Sequence, residues 1–124
     1  SDYTETNMIK KVLDKPTILQ LNEYDVNQRI IEALTNVCSH AVLFSIVNKA
    51  KDAEKISDEL QMSISNVYKT LMNLEKLALI KIEKFEITKN GKKIKQYRSR
   101  IKNAKISVEG INSKVELISN ENGY

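Results

Sequence analysis

The side chains of this sequence best suited to chemistry are cations together with hydrogen-bonding amides and hydroxyls. Between residues 81 and 105, ten Lys and Arg stand against two Glu, whereas the whole chain of 124 residues carries a net charge of only +4. The remainder is therefore net negative. A charge separation of this kind creates a directional field that draws an anionic polymer to one face. Just upstream, Ser63, Ser65, Asn66, Lys69, Thr70, Asn73 and Lys76 recur along one side of a helical pattern with no carboxylate among them. Asn can bond adenine through two contacts, Lys favours the acceptors of guanine, and Ser is nearly indifferent. Tyr68 lies at the edge of the apolar stripe, where its ring can pack while its hydroxyl reaches a phosphate. The pattern predicts base contacts from the first segment and phosphate contacts from the second, with double-stranded DNA as the partner.

Other chemistries lack their residues. One His, one Cys and three Gly leave no phosphate-cradling loop and no cluster of metal ligands, so neither an enzyme nor a cofactor is expected. Cys38 and His40 are two residues apart without a third such ligand, which argues against a metal site. Cys38, among apolar and small neighbours, is expected to be a buried, inert thiol, and His40 a surface or cap residue. A lone Cys fits a reducing cytoplasm. No apolar run approaches the roughly 20 residues that a membrane-spanning helix needs.

The elements that position these residues follow from periodicity and caps. Asp52 caps a helix in which Ala53, Ile56 and Leu60 form one buried face. Met62 plugs the turn, and Ser63 caps a recognition helix over about 63–77. Its residues Ile64, Val67, Leu71, Leu74 and Ala78 are spaced to point inward. Residues 79–101 then alternate as a hairpin about Asn90-Gly91, a dipeptide that favours a turn with two positive φ angles. This hairpin carries Lys89, Asn90, Lys92, Lys93 and Lys95 near its tip, with Arg98 and Arg100 further along. The cationic hairpin and the carboxylate-free helix face are expected to lie side by side as a single positive surface.

Around this unit the signals are weaker. Met8, Ile9, Val12 and Leu13 have helical spacing until Pro16, and residues 17–22 read as a short strand or a connector. Asp25 with Gln28 resembles a capping box opening a helix to about Asn36, with Val26, Ile30, Ile31 and Leu34 on one face. Ser39 can cap the next helix, whose stripe is Val42, Leu43, Ile46 and Val47. After Lys105 a second hairpin turns at Gly110, and the last six residues read as loose. The division expected is an N-terminal arm (1–24), a helix-turn-helix unit with its basic hairpin (25–103) and a C-terminal β-hairpin and tail (104–124).

Ile56, Ser57, Leu60, Gln61, Met62 and Ser63, followed by Asn66, Val67, Tyr68, Lys69, Leu71, Leu74, Glu75, Ala78, Leu79 and Ile80, carry a resemblance. They resemble the winged helix-turn-helix transcription regulators of bacteria and archaea, particularly the ArsR-like and TrmB-like group. The resemblance covers roughly 50 residues, an α+β, mainly α fold with a basic wing. It implies a cytoplasmic, nucleoid-associated homodimer that binds DNA specifically and regulates transcription. Residues 8–21 and 106–118 are the apolar pieces left for its interface. Three departures stand out. Gln61 replaces a turn Gly, so it either adopts a left-handed conformation or the turn differs. Ala78 replaces the Gly that ends the recognition helix, which would let the helix run longer. The Cys or His ligands of metal-sensing members are missing, and no small-molecule effector is identified. Two other readings stay open: an architectural protein that coats DNA, and a winged-helix module that binds protein.

Overall fold

The computed structural model describes residues 18–120. Helices α1 (Ile18–Thr35), α2 (Val37–Ser45), α3 (Ala53–Leu60) and α4 (Ile64–Lys76) are followed by strands β1 (Ile80–Ile87), β2 (Lys93–Ser99), β3 (Ile101–Glu109) and β4 (Asn112–Ser119). The strands form two separate antiparallel hairpins, β1–β2 and β3–β4. This is a winged helix-turn-helix, α+β and mainly helical, with a second hairpin appended. The apolar spacing at 8–13, the rest of the segment up to 17 and the last four positions of the tail lie outside the described residues.

The caps expected for α3 and α4 are in place. Asp52 accepts from the Lys55 N–H at 2.8 Å, and Ser63 from the Asn66 N–H at 3.3 Å. The first two helices depart from expectation. The helix already runs from Ile18, so Asp25 sits inside α1 rather than capping it, and the segment 17–22, read as a short strand or a connector, is helical from Ile18. Its buried face is Ile30, Ala33 and Leu34, while Val26 is exposed. Asn36 rather than Ser39 caps α2, accepting the Ser39 N–H at 3.0 Å. Asn36 directly follows α1, so one polar residue breaks the helix and restarts it.

The core is aliphatic. Val42, Leu43 and Ile46 meet Ile56, Val67, Leu71 and Leu74, closed by Leu79, Ile80, Tyr97 and Ile101. Leu60 and Met62 pack against it from the turn. That turn needs a left-handed residue, and Gln61 supplies it at φ 55°. Its backbone N–H bonds Ser57 O, and the Met62 N–H reaches the same oxygen at 3.1 Å. The end of α4 corrects another expectation. The helix stops at Lys76, and Ala78 leaves the stripe, adopting φ 59°. Ala78 N–H bonds Glu75 O, and Leu79 N–H bonds Leu74 O, each at 3.0 Å, which is the hydrogen-bond pattern of a Schellman C-cap. Ala therefore occupies a Gly position instead of extending the helix.

The wing is tied to the helices by backbone. Lys51 and Tyr97 exchange two bonds of 3.0 and 2.8 Å, and the Ser99 N–H reaches Ile46 O at 3.0 Å. Strand β3 begins at Ile101, ahead of position 104. The end of β4 is not loose. Asn120 is buried, and its amide donates to Val47 O at 2.8 Å and Ser99 O at 3.1 Å.

Candidate nucleic-acid interface

Of the polar side chains of α4, Ser65, Asn66, Lys69, Asn73 and Lys76 reach solvent along one stripe and Glu75 reaches it on the side of the wing, with Ser63 at the cap. Thr70 is a correction: it is buried, with 8% exposure, because it falls on the same side of the helix as Val67 and Leu74. Ile64 is the reverse case, 41% exposed although its spacing belongs to the apolar stripe, because the first turn projects past the core. Tyr68 and Met72 are also exposed, one turn apart on the side facing the wing. Met72 escaped the sequence reading. Its position four residues after Tyr68 is the signal that could have found it. Asn66 Nδ2 lies 3.9 Å from Cys38 Sγ of α2, so Cys38 is half-buried rather than sealed in the core.

The wing separates its cations by depth. Lys89, Asn90, Lys92, Lys93 and Lys95 are exposed near the tip, and no ion pair among the described residues holds these four lysines. Lys93 Nζ lies 4.1 Å above the Phe85 ring, a cation–π contact that sets its direction. Arg98 is a second correction. It is buried at the base of β2, where Nη1 meets Glu83 Oε1 at 2.9 Å and Nε donates to Val47 O at 2.9 Å. Arg100 stands in the bend after β2, and its Nη1 donates to Ala78 O at 3.3 Å. Both arginines brace the wing where it leaves the body.

The turn also differs from expectation. Among the described residues only Gln61 and Ala78 are non-glycine residues at positive φ, so Asn90 does not adopt it. Gly91 does, at φ 78°, and its N–H bonds Thr88 O at 2.9 Å, while the Thr88 N–H bonds Lys92 O at 2.9 Å. The loop is thus the three residues Lys89-Asn90-Gly91, the length that takes a left-handed Gly at its last position. A bulge at Glu83 shifts the register of β1 against β2 and lets its carboxylate reach Arg98.

The helix and wing are neighbours. Between them runs a groove of about 360 Å³, lined by Tyr68, Met72 and Glu75 of α4, by Lys92 and the first three residues of β2, and by Asp52 and Glu54 at the start of α3. The expected juxtaposition holds, but the expected single positive surface does not. Asp52, Glu54 and Glu75 put carboxylates along the seam. Burial, then the Glu75 charge, then Tyr68 hold the Tyr97 phenol above its usual range at the groove floor.

Elsewhere, His40 Nδ1 lies 3.1 Å from Leu34 O and its ring packs on Phe44 with centroids 4.9 Å apart, as a surface residue between α1 and α2. Among the described residues no helix is long and apolar enough to cross a membrane, and no group of three His, Cys, Asp or Glu could hold a metal ion.

Helix-turn-helix, Schellman-capped second helix and two-stranded wing define the class: a winged-helix protein. No family model matches the chain, and no curated protein matches it either. Among solved structures it is similar to the homodimeric winged helix-turn-helix DNA-binding domain (fragment 1–100) of a possible ArsR-family transcriptional regulator from Mycobacterium bovis. The two share 16% identity at a TM-score of 0.52, covering 69% of this chain and 74% of that one. The likeness is one of fold.

Proposed function

We propose that this protein is a sequence-specific regulator of transcription that binds double-stranded DNA as a homodimer, with no catalytic step of its own. The observation that carries this is the placement of an exposed, carboxylate-free stripe, Ser65, Asn66, Lys69, Asn73 and Lys76, on the second helix of the helix-turn-helix beside a wing tip whose four lysines form no ion pair among the described residues. In this reading the first half of α4 enters the major groove. Asn66, Asn73 and Lys69 carry base contacts, and Ser63 with the first-turn amides meets a phosphate. Met72 adds an apolar contact suited to a thymine methyl. Lys89, Lys92, Lys93 and Lys95 follow the backbone or an adjacent minor groove. The carboxylates of the seam repel phosphate and so hold the duplex to these two ridges. A single reading helix spans few base pairs, which is why two half-sites are required. A DNA partner makes the nucleoid its place of action.

Selection of bound fragments from random duplex, followed by titration of the winner against random duplex, tests this. Neutralising about 6–10 phosphates makes affinity fall by about 10³–10⁵ between roughly 50 and 200 mM salt. An affinity ratio near one would turn the reading toward an architectural coat. Failure to shift any duplex at low salt would turn it toward a protein-binding winged helix.

A further inference from the structure

The second hairpin is amphipathic by register. Ala104 opposes Leu117, Ile106 opposes Val115 and Val108 opposes Ser113 on one face, while Lys105 opposes Glu116 and Ser107 opposes Lys114 on the other. Ala104 and Val115 pack against the core at its base. Ile106 and Leu117, across the hairpin from these two, are already open to solvent, and toward the tip Val108 is 73% exposed, with Ile111 also open. A two-stranded ribbon of this kind is marginal in water without a further strand or covering layer. Its two edges are unequal. Strand β4 runs beside α1, whereas every residue of β3 after Ala104 is exposed and, among the described residues, no other strand bonds its outer edge.

The turn decides which main-chain groups that edge offers. Gly110, at φ 61°, and Ile111 form a two-residue loop between Glu109 and Asn112, a geometry that makes those flanking residues a hydrogen-bonded pair. Alternation along the strand then turns the N–H and C=O of Ile106 and Val108 outward, unpaired within the hairpin.

We propose that this edge pairs antiparallel with β3 of a second copy, about a twofold axis at Ser107, to give a four-stranded sheet across the dimer. The proposal rests on the two-half-site reading for its symmetry and on the charge pattern for its register. A twofold axis perpendicular to a sheet brings together only residues on the same face, so it must pass through a residue position. At Ser107, Ile106 opposes the partner's Val108, and Lys105 opposes the partner's Glu109, each pairing occurring twice. An axis at Lys105 sets Lys against Lys, and one at Glu109 sets Glu against Glu. Axes at Ile106 or Val108 place Ser107 opposite Lys105 or Glu109. Only the Ser107 register among these matches opposite charges. Neither Lys105 nor Glu109 has an ion-pair partner among the described residues, so both are available for it.

Sedimentation of the full chain without DNA, over a range of concentrations, tests the register. Both residues are exposed, so their substitution leaves the core intact, which circular dichroism verifies. Lys105→Glu and Glu109→Lys should each raise the dimer dissociation constant by about tenfold, since each places like charges opposite one another twice. The double variant K105E/E109K should recover most of that loss, the remainder coming from the new carboxylate at position 105, which faces Glu116 within its own hairpin. A chain that is monomeric throughout, a dimer indifferent to either reversal, or a double variant that stays dissociated overturns the proposal. A dimer indifferent to the reversals removes this register and leaves the DNA reading standing, whereas a chain that is monomeric throughout also removes the homodimer from that reading. Conversely, a dimer that obeys the charge swap yet shifts no duplex removes the DNA reading alone.

Discussion

The two hairpins of this protein are joined by one residue, Arg100, yet they are built on opposite plans. The wing carries exposed lysines at its tip, with Ile87 open among them, and is buried at its root, where Gln96, Tyr97, Arg98 and Ser99 are all enclosed. The second hairpin is apolar toward its tip and held at its root by Ile101, Ala104, Val115 and the Asn120 amide. A cation's role therefore depends on its distance from the core. Close to the body, Arg98 is committed to Glu83 and Val47 O. Out at the turn, Lys89 is exposed and free of ion pairs among the described residues, so it can meet phosphate. The apolar tip of the other ribbon obeys the same rule with opposite chemistry, and it calls for protein rather than nucleic acid.

The largest effect expected from this contrast is in salt dependence. Replacing Lys89, Lys92, Lys93 and Lys95 by Gln should reduce the slope of log affinity against log salt by about 0.9 for each phosphate no longer neutralised. Replacing Lys102 and Lys114 of the second hairpin should leave the slope unchanged. Equal reductions from the two hairpins, measured by fluorescence anisotropy on one duplex, would abolish the distinction between them.

Next comes the root of the wing. Arg98→Met removes two bonds from a charged donor, for which about 2–3 kcal/mol of stability should disappear in urea unfolding. DNA affinity of the folded fraction should hold, because Arg98 braces the wing from below. A variant as stable as the parent but weak on DNA would return Arg98 to the interface.

A smaller gain is expected where the wing leaves α4. Ala78 occupies a left-handed position that costs a side-chain-bearing residue about 1–2 kcal/mol, part of which Gly recovers despite its larger unfolded-state entropy. Ala78→Gly should raise stability by about 0.5–1 kcal/mol in thermal unfolding. Gln61→Gly should gain less, because Gln61 Nε2 donates to Asp58 O at 2.8 Å and Gly cannot make that bond.

The smallest effect is a pH dependence at the groove. The Tyr97 phenol is raised above 10.0 in the folded protein, chiefly by burial. Its contribution to stability is thus fully present below the unfolded value and is lost as pH rises through the folded one. Tyr97→Phe should flatten the alkaline fall of the melting temperature; an unchanged fall would place its cause elsewhere.

Much of the fold was legible along the chain. Helices α3 and α4, their caps Asp52 and Ser63, and both hairpins followed from spacings of two to four residues. The start of α1 was not legible, because Asp25 and Gln28 make a capping pattern that a longer helix simply runs through. Nor was the burial of Thr70, which shares a helix face with Val67 and Leu74. The candidate site divides in the same way: its tip lysines and its α4 stripe could be read directly, whereas Met72 and the acidic seam could not.

By itself the sequence determined the helix-turn-helix, the clustering of ten cations over 25 positions and the amphipathic pattern of the last ribbon, since each depends on residues near one another in the chain. Tertiary structure alone decided which polar groups are consumed. Arg98 and Asn120 both donate to Val47 O, 51 and 73 residues away, and no local pattern encodes a partner at such separation. A buried donor must find an acceptor wherever packing supplies one, so it is the folded arrangement that separates the cations holding the wing from those free to bind.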